Sequence, residues 1–147
     1  MVTSNGITAA SHASLPFALR PLYAYLVASP HLDKLGAERV LARSAGLPWA
    51  EEDVVEKAVL PDGWEGTEGL PDVGDLKKVV IVRPALLTDG DCRADSAKDG
   101  KAPYRVQIDG NLKNAYRVSR KDIAHFIVDD AIPHWEKYEG KGVCVSY

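Results

Sequence analysis

Hydrophobic and polar positions follow three regimes along the chain. Behind Lys77-Lys78, the run Val79-Val-Ile-Val-Arg-Pro84 is short, continuous and β-branched, which predicts a parallel strand covered on both faces. Met1 to Ser4 precedes Asn5-Gly6 and reads as the tail of a strand entering a turn. Residues 16 to 28 are apolar enough to pack on a protein surface, with Pro21 kinking or restarting any helix there. Beyond it, Asp33 is placed to cap a helix running to about Ser44 and stopping at Gly46, with Leu32, Leu35 and Val40 on one arc. Ala50 to Leu76 changes character: Pro61, Gly63, Gly66, Gly69, Pro71 and Gly74 punctuate acidic residues, and the segment reads as a surface insertion.

After a second turn-rich stretch, Thr88 to Lys101, two extended pieces are expected around Tyr104 to Ile108 and Tyr116 to Val118. Ser119-Arg-Lys-Asp122 resembles a capping box, with Asp122 near the positive helix end. Ile123, Phe126, Ile127 and Ala131 then repeat at helical spacing until Pro133, and Gly142 to Tyr147 reads as a last strand. Strands alternating with helices, joined by long connections, make an α/β single domain with an open parallel sheet.

Composition narrows the function classes. The 147 residues are 46% hydrophobic and 27% charged, with a formal net charge of -3, an ordinary globular balance without the basic surface of a nucleic-acid binder. No apolar run reaches the roughly 20 residues of a membrane span. With no signal-peptide pattern at the amino end, a cytoplasmic location is expected. Cys92 and Cys144 are expected as free thiols without metal spacing to His12, His31, His125 or His134. No HExxH, GxSxG or GxxxxGK[ST] motif is present.

Four stretches in order carry a resemblance: Val2-Thr-Ser-Asn-Gly6; Lys34-Leu-Gly-Ala-Glu38 leading to Ser44-Ala-Gly-Leu47; Val82-Arg-Pro84; and Ser119-Arg-Lys-Asp-Ile-Ala124. Together they resemble the second half of the atypical short-chain dehydrogenase/reductases, in the NmrA-like and flavin reductase (biliverdin reductase B)-like branch. The resemblance spans nearly the whole chain except about 50 to 76. It implies the C-terminal half of an extended Rossmann fold, a doubly wound parallel sheet. Ser4 would end the fifth strand, Val79 to Arg83 would form the sixth, and the final strand would complete the sheet edge. The dinucleotide-fingerprint half is expected to be missing. No GxGxxG occurs, and Gly63-x-x-Gly66-x-x-Gly69 has the wrong spacing and precedes a strand rather than following one.

The resemblance also implies site residues. Ser4, at a strand's carboxyl end, would hydrogen-bond a substrate atom; otherwise it is a turn serine. Lys34 stands where the superfamily's YxxxK lysine holds the nicotinamide ribose, and its alternative is an exposed i,i+4 partner of Glu38. The YxxxK tyrosine is replaced by Pro30, and Tyr23 and Tyr25 lie too far upstream to stand in for it. Pro84, Ala85, Leu86 and Leu87, in the loop after the sixth strand, would shape the nicotinamide-ring pocket. Arg120 and Asp122 are assigned to helix capping. Trp49, Trp64 and Trp135 are read as packing residues.

The implied function is NAD(P)H-dependent reduction of flavin or another small conjugated acceptor, with the proton drawn from solvent. NADP or NAD would be the cofactor, NADPH the expected form, and its binding compromised by the missing half. A dinucleotide-sensing NmrA-like regulator without turnover is the alternative, which Pro30 favours, and an inactive fragment is the third. A small-molecule substrate is expected, no nucleic acid and no membrane, with self-association through an unpaired sheet edge.

Overall fold

The computed structural model describes residues 1–14, 17, 21, 28–97 and 103–147. The expectation for 16 to 28, and the positions of Tyr23 and Tyr25, lie largely outside the described residues. The main sheet is built on β1 (Ile81–Pro84) and β5 (Gly142–Ser146), paired parallel with Ile81 opposite Gly142. Met1 to Asn5 runs parallel on the other side of β1: the Thr3 amide donates to the Val82 carbonyl (2.8 Å) and the Asn5 amide to that of Pro84 (2.7 Å). Thus the amino-terminal strand does lie beside the sixth-strand run. Among the described residues no strand pairs with its other edge.

The far side departs from expectation. β5 is not the sheet edge, because β3 (Arg105–Ile108) pairs antiparallel along it, with Arg105 opposite Ser146. Four consecutive buried residues in β5, Val143 to Ser146, mark an interior strand, whereas β3 alternates exposed and half-buried positions as an edge strand does. A second sheet of two parallel strands joins β2 (Leu86–Thr88) to β4 (Arg117–Ser119). Leu86 and Leu87, expected in a loop, are therefore strand residues one step past the buried Ala85.

Three helices follow short rules, and each corrects the sequence reading in part. Helix α1 (Ala9–Ala13) starts at Thr8, whose side chain and that of Ser11 form a reciprocal capping box. Helix α2 is described over Ala28–Ala45, so Asp33 lies inside it rather than at its cap, and Pro30 is within it too. Its end is as expected. Gly46 adopts φ +66°, the Leu47 amide bonds the Ala42 carbonyl (2.8 Å), and the Gly46 amide bonds that of Arg43 (3.0 Å). These are the two bonds of a Schellman motif. Helix α3 (Arg120–His125) is capped by the Ser119 hydroxyl, which accepts from the Asp122 amide (3.0 Å). It widens into a π-turn over Phe126–Ala131, where the Ile132 amide reaches the Ile127 carbonyl (2.9 Å).

Ile123, Phe126 and Ala131 join Val118, Val143, Val145 and Tyr138 in the core, with Phe126 and Tyr138 edge-to-face at 5.4 Å. Residues 50 to 76 contain only one 3₁₀ turn, Trp64–Gly66, and fold against α2. Arg43 donates to the Pro71 and Glu65 carbonyls and lies over the Trp64 ring, while Arg39 lies over Trp49. Gly36 makes this approach possible, because a Cβ there would stand 2.5 Å from Val59 Cγ1.

Candidate functional site

A cleft of about 590 Å³ opens where Gly6, Ile7 and Thr8 leave the carboxyl end of the amino-terminal strand. In open α/β sheets the crevice beyond the strands' carboxyl ends is the usual place for a ligand. Its second wall is α2, through Ala28, His31, Leu32 and Leu35, and its third is the 52 to 56 stretch. The walls are tied together: Asp53 accepts from the Ala9 amide (2.6 Å), and the Trp49 indole donates to the Asp53 carbonyl (2.9 Å). Burial first, then the charges of Lys34 and His12, lower the His31 pKa to about 4. That imidazole is neutral at physiological pH.

Neither Ser4 nor Lys34 lines this cleft, though both neighbour residues that do: Ser4 is half-buried just before the Gly6 to Thr8 wall, and Lys34 is half-buried on α2 beside the lining residue Leu35, with its charge acting on His31. Lys34 is not paired with Glu38. Glu38 is fully buried and turned into the fold, where it accepts from Arg83 Nη2 (2.6 Å), Arg83 Nε (3.1 Å) and the Thr3 hydroxyl (2.5 Å). Burial alone would lower the Arg83 pKa, but the hydrogen bond and charge of Glu38 outweigh it and leave it raised. This ion pair fastens α2 to β1 and to the amino-terminal strand, the framework behind two of the cleft walls.

Pro84 and Ala85 are buried, and the Pro84 carbonyl holds the Asn5 amide one residue past Ser4. Leu86 and Leu87 diverge into β2, and none of the four lines the cleft. Asp122 does more than cap a helix. Fully buried, it accepts from the Tyr147 hydroxyl (2.5 Å), the Ser119 hydroxyl (2.8 Å) and the amides of Arg93 (3.2 Å) and Ala94 (3.0 Å). The Ser119 amide, which a full capping box would give to Asp122, donates instead to the Tyr147 hydroxyl (3.0 Å). Arg120 pairs with Asp89 at the surface. Among the residues left unassigned, His12 and His31 line the cleft, and Tyr104 and His125 form a hydrogen-bonded pair (2.7 Å) away from it.

Cys144 is buried in β5 and Cys92 is half-buried beside Asp122. Among the described residues no cluster of three or more His, Cys, Asp or Glu is arranged to hold a metal ion. No described helix is long and apolar enough to cross a membrane.

With this geometry in view, similarity to known proteins defines the fold. It is an α/β fold of the Rossmann type, present in part. It superposes with a TM-score of 0.57 and 16% identity on a short-chain dehydrogenase/reductase (wide type) from Veillonella parvula DSM 2008 in complex with NADP, covering 99% of this chain and 48% of that one. The ethylated form of a short-chain dehydrogenase/reductase from the same organism gives 0.56 with the same coverage. By sequence the chain is homologous to a reductase: it is 30% identical over 135 residues to Reductase pytE of Aspergillus terreus, spanning 90% of this chain and 42% of that protein. The chain thus spans less than half the length of the relative it matches. No protein-family model matches it.

Proposed function

We propose that the chain supplies the nicotinamide- and substrate-side half of an NAD(P)H-dependent reductase acting on a small conjugated acceptor such as a flavin. The observation that carries this reading is the 30% identity to a reductase across 90% of the chain. The cleft at the strand's carboxyl end, with Ser4 and Lys34 beside it, is the matching geometry. NADP in the Veillonella structure favours NADPH as the donor.

The residues fit one half of that cofactor. Lys34 offers an ammonium to ribose hydroxyls, and the Pro84-Ala85 turn lies next to the strand end. No GxGxxG occurs in the sequence, and among the described residues no strand, Gly-rich turn and helix is built to receive a pyrophosphate. Bound NADPH supplies a hydride. Ser4 orients the acceptor by donating to one of its heteroatoms, and the apolar wall of Ile7, Leu32 and Leu35 excludes water around it. Pro30, one helical turn before Lys34, has no proton to give, so the proton that follows the hydride comes from solvent.

Titration of the purified chain with reduced nicotinamide riboside and with NADPH tests the reading. Both ligands are expected to bind with similar, weak affinity, since only the nicotinamide side has contacts. Failure of either ligand to bind at millimolar concentration would sink the proposal. NADPH binding more than about tenfold tighter would reveal a phosphate site in these residues and overturn the half-site assignment.

Pro30 also supports a second reading, a dinucleotide-sensing regulator of the NmrA-like kind. It would bind the same ligands but leave the absorbance of the reduced nicotinamide unchanged when a flavin is added.

A further inference from the structure

Ile7 and Leu35 are buried and, with the half-buried Leu32, give the cleft an apolar interior suited to a flat ring. Glu52, Asp53 and Glu56 face the same space, no lysine or arginine is among its described lining residues, and Lys34, whose charge reaches the lining His31, offsets one of the three. The bond from the Ala9 amide to Asp53 holds the acidic stretch against the amino-terminal wall, and Arg39 over the Trp49 ring holds it to α2. His31 adds no compensating charge, because burial keeps it neutral. A phosphate monoester brings a charge of about -1.5 to -2 near neutral pH. In this cleft it would meet three carboxylates across partly desolvated space, where like charges repel more strongly than in bulk water.

Resting on the reductase reading above, the geometry points to an acceptor that is planar, largely apolar and free of phosphate or any other anionic group. Riboflavin and FMN are the discriminating probes, since they share a ring system and differ only in the phosphate.

Quenching of flavin fluorescence at low ionic strength is expected to show riboflavin binding at least about tenfold more tightly than FMN. The double variant Glu52→Gln, Glu56→Gln, at two exposed positions, should narrow the ratio of riboflavin to FMN affinity several-fold. Equal or tighter binding of FMN, a preference that the double variant does not alter, or no binding of either flavin would each overturn the inference. A titration with reduced nicotinamide riboside, which carries no phosphate, separates the two claims. If that ligand binds while the flavin order fails, only the acceptor class is wrong. If it does not bind while riboflavin is still preferred, the reductase reading falls and the charge selection of the cleft stands.

Discussion

Replacing Glu38 with alanine is expected to lower stability by about 3 kcal/mol, at the lower end of the cost of stripping one partner from a buried ion pair. The carboxylate is fully buried and takes three donations from Arg83 (2.6, 3.1 and 3.2 Å) and one from Thr3 (2.5 Å). Its removal leaves a guanidinium whose side chain is only 21% exposed, wet enough to moderate the loss but not to cancel it. At about 2 to 4 °C per kcal/mol for a domain of this size, the melting temperature should fall by roughly 6 to 12 °C. Thr3→Val removes one hydrogen bond to the charged group without changing shape and should cost about 1.5 to 3 kcal/mol.

Urea denaturation followed by tryptophan fluorescence measures both, provided the slope is unchanged. A double variant, Glu38→Leu with Arg83→Met, should recover most of the loss, because no charge is then left buried alone. If Glu38→Ala costs less than about 1 kcal/mol, or if the double variant is as unstable as the sum of its parts, the pair is not what fastens α2 to the sheet.

Asp122 is buried, which by itself would raise its pKa, but the hydrogen bonds from Tyr147, Ala94, Ser119 and Arg93 prevail and lower it. Its contribution to stability is therefore present above the ordinary aspartate pKa and lost as pH falls through the lowered value. Asp122→Asn should be less stable at pH 7 and should show a flatter loss of stability as pH falls below the ordinary aspartate range, in acid titrations followed by circular dichroism. Lys34→Ala should weaken binding of reduced nicotinamide riboside by about 1 to 3 kcal/mol, read by fluorescence titration; unchanged affinity would return Lys34 to a solvent role. Gly36→Ala should destabilise the fold by about 1 to 3 kcal/mol despite alanine's better helix propensity, since its Cβ would press on Val59 at 2.5 Å. Faster proteolysis within residues 50 to 76 would report that this segment has been pushed off α2.

What could be read along the chain was local. Val79 to Pro84 is recognisable because a strand with both faces covered leaves no polar alternation, and Ser119 because a hydroxyl before a helical repeat has one obvious amide to serve. Gly46 was legible for the same reason, as a helix end needs a residue tolerant of positive φ, and it has φ +66°. Asp33 misled because an aspartate before an apolar arc looks the same at a cap as inside a longer helix.

The buried Glu38 was illegible from its own surroundings, where Lys34 one turn away offered an ordinary surface partner. Its true partner is 45 residues off, and the one available clue lay at that end. Arg83 interrupts an otherwise apolar buried run, and a guanidinium in such a strand demands an acid from some other element. Sheet order poses the same difficulty at larger scale. Being last in the chain says nothing about being last in the sheet, whereas burial pattern does: Gly142-Val-Cys-Val-Ser146 carries no exposed residue along its length, while Arg105-Val-Gln-Ile108 alternates. The unbroken strand had to be flanked and the alternating one had to flank it. The cleft follows the same logic, since its acidic wall comes from a segment whose composition alone suggested only a surface loop. Only the packing of that segment on Gly36 brings Glu52, Asp53 and Glu56 to face His31.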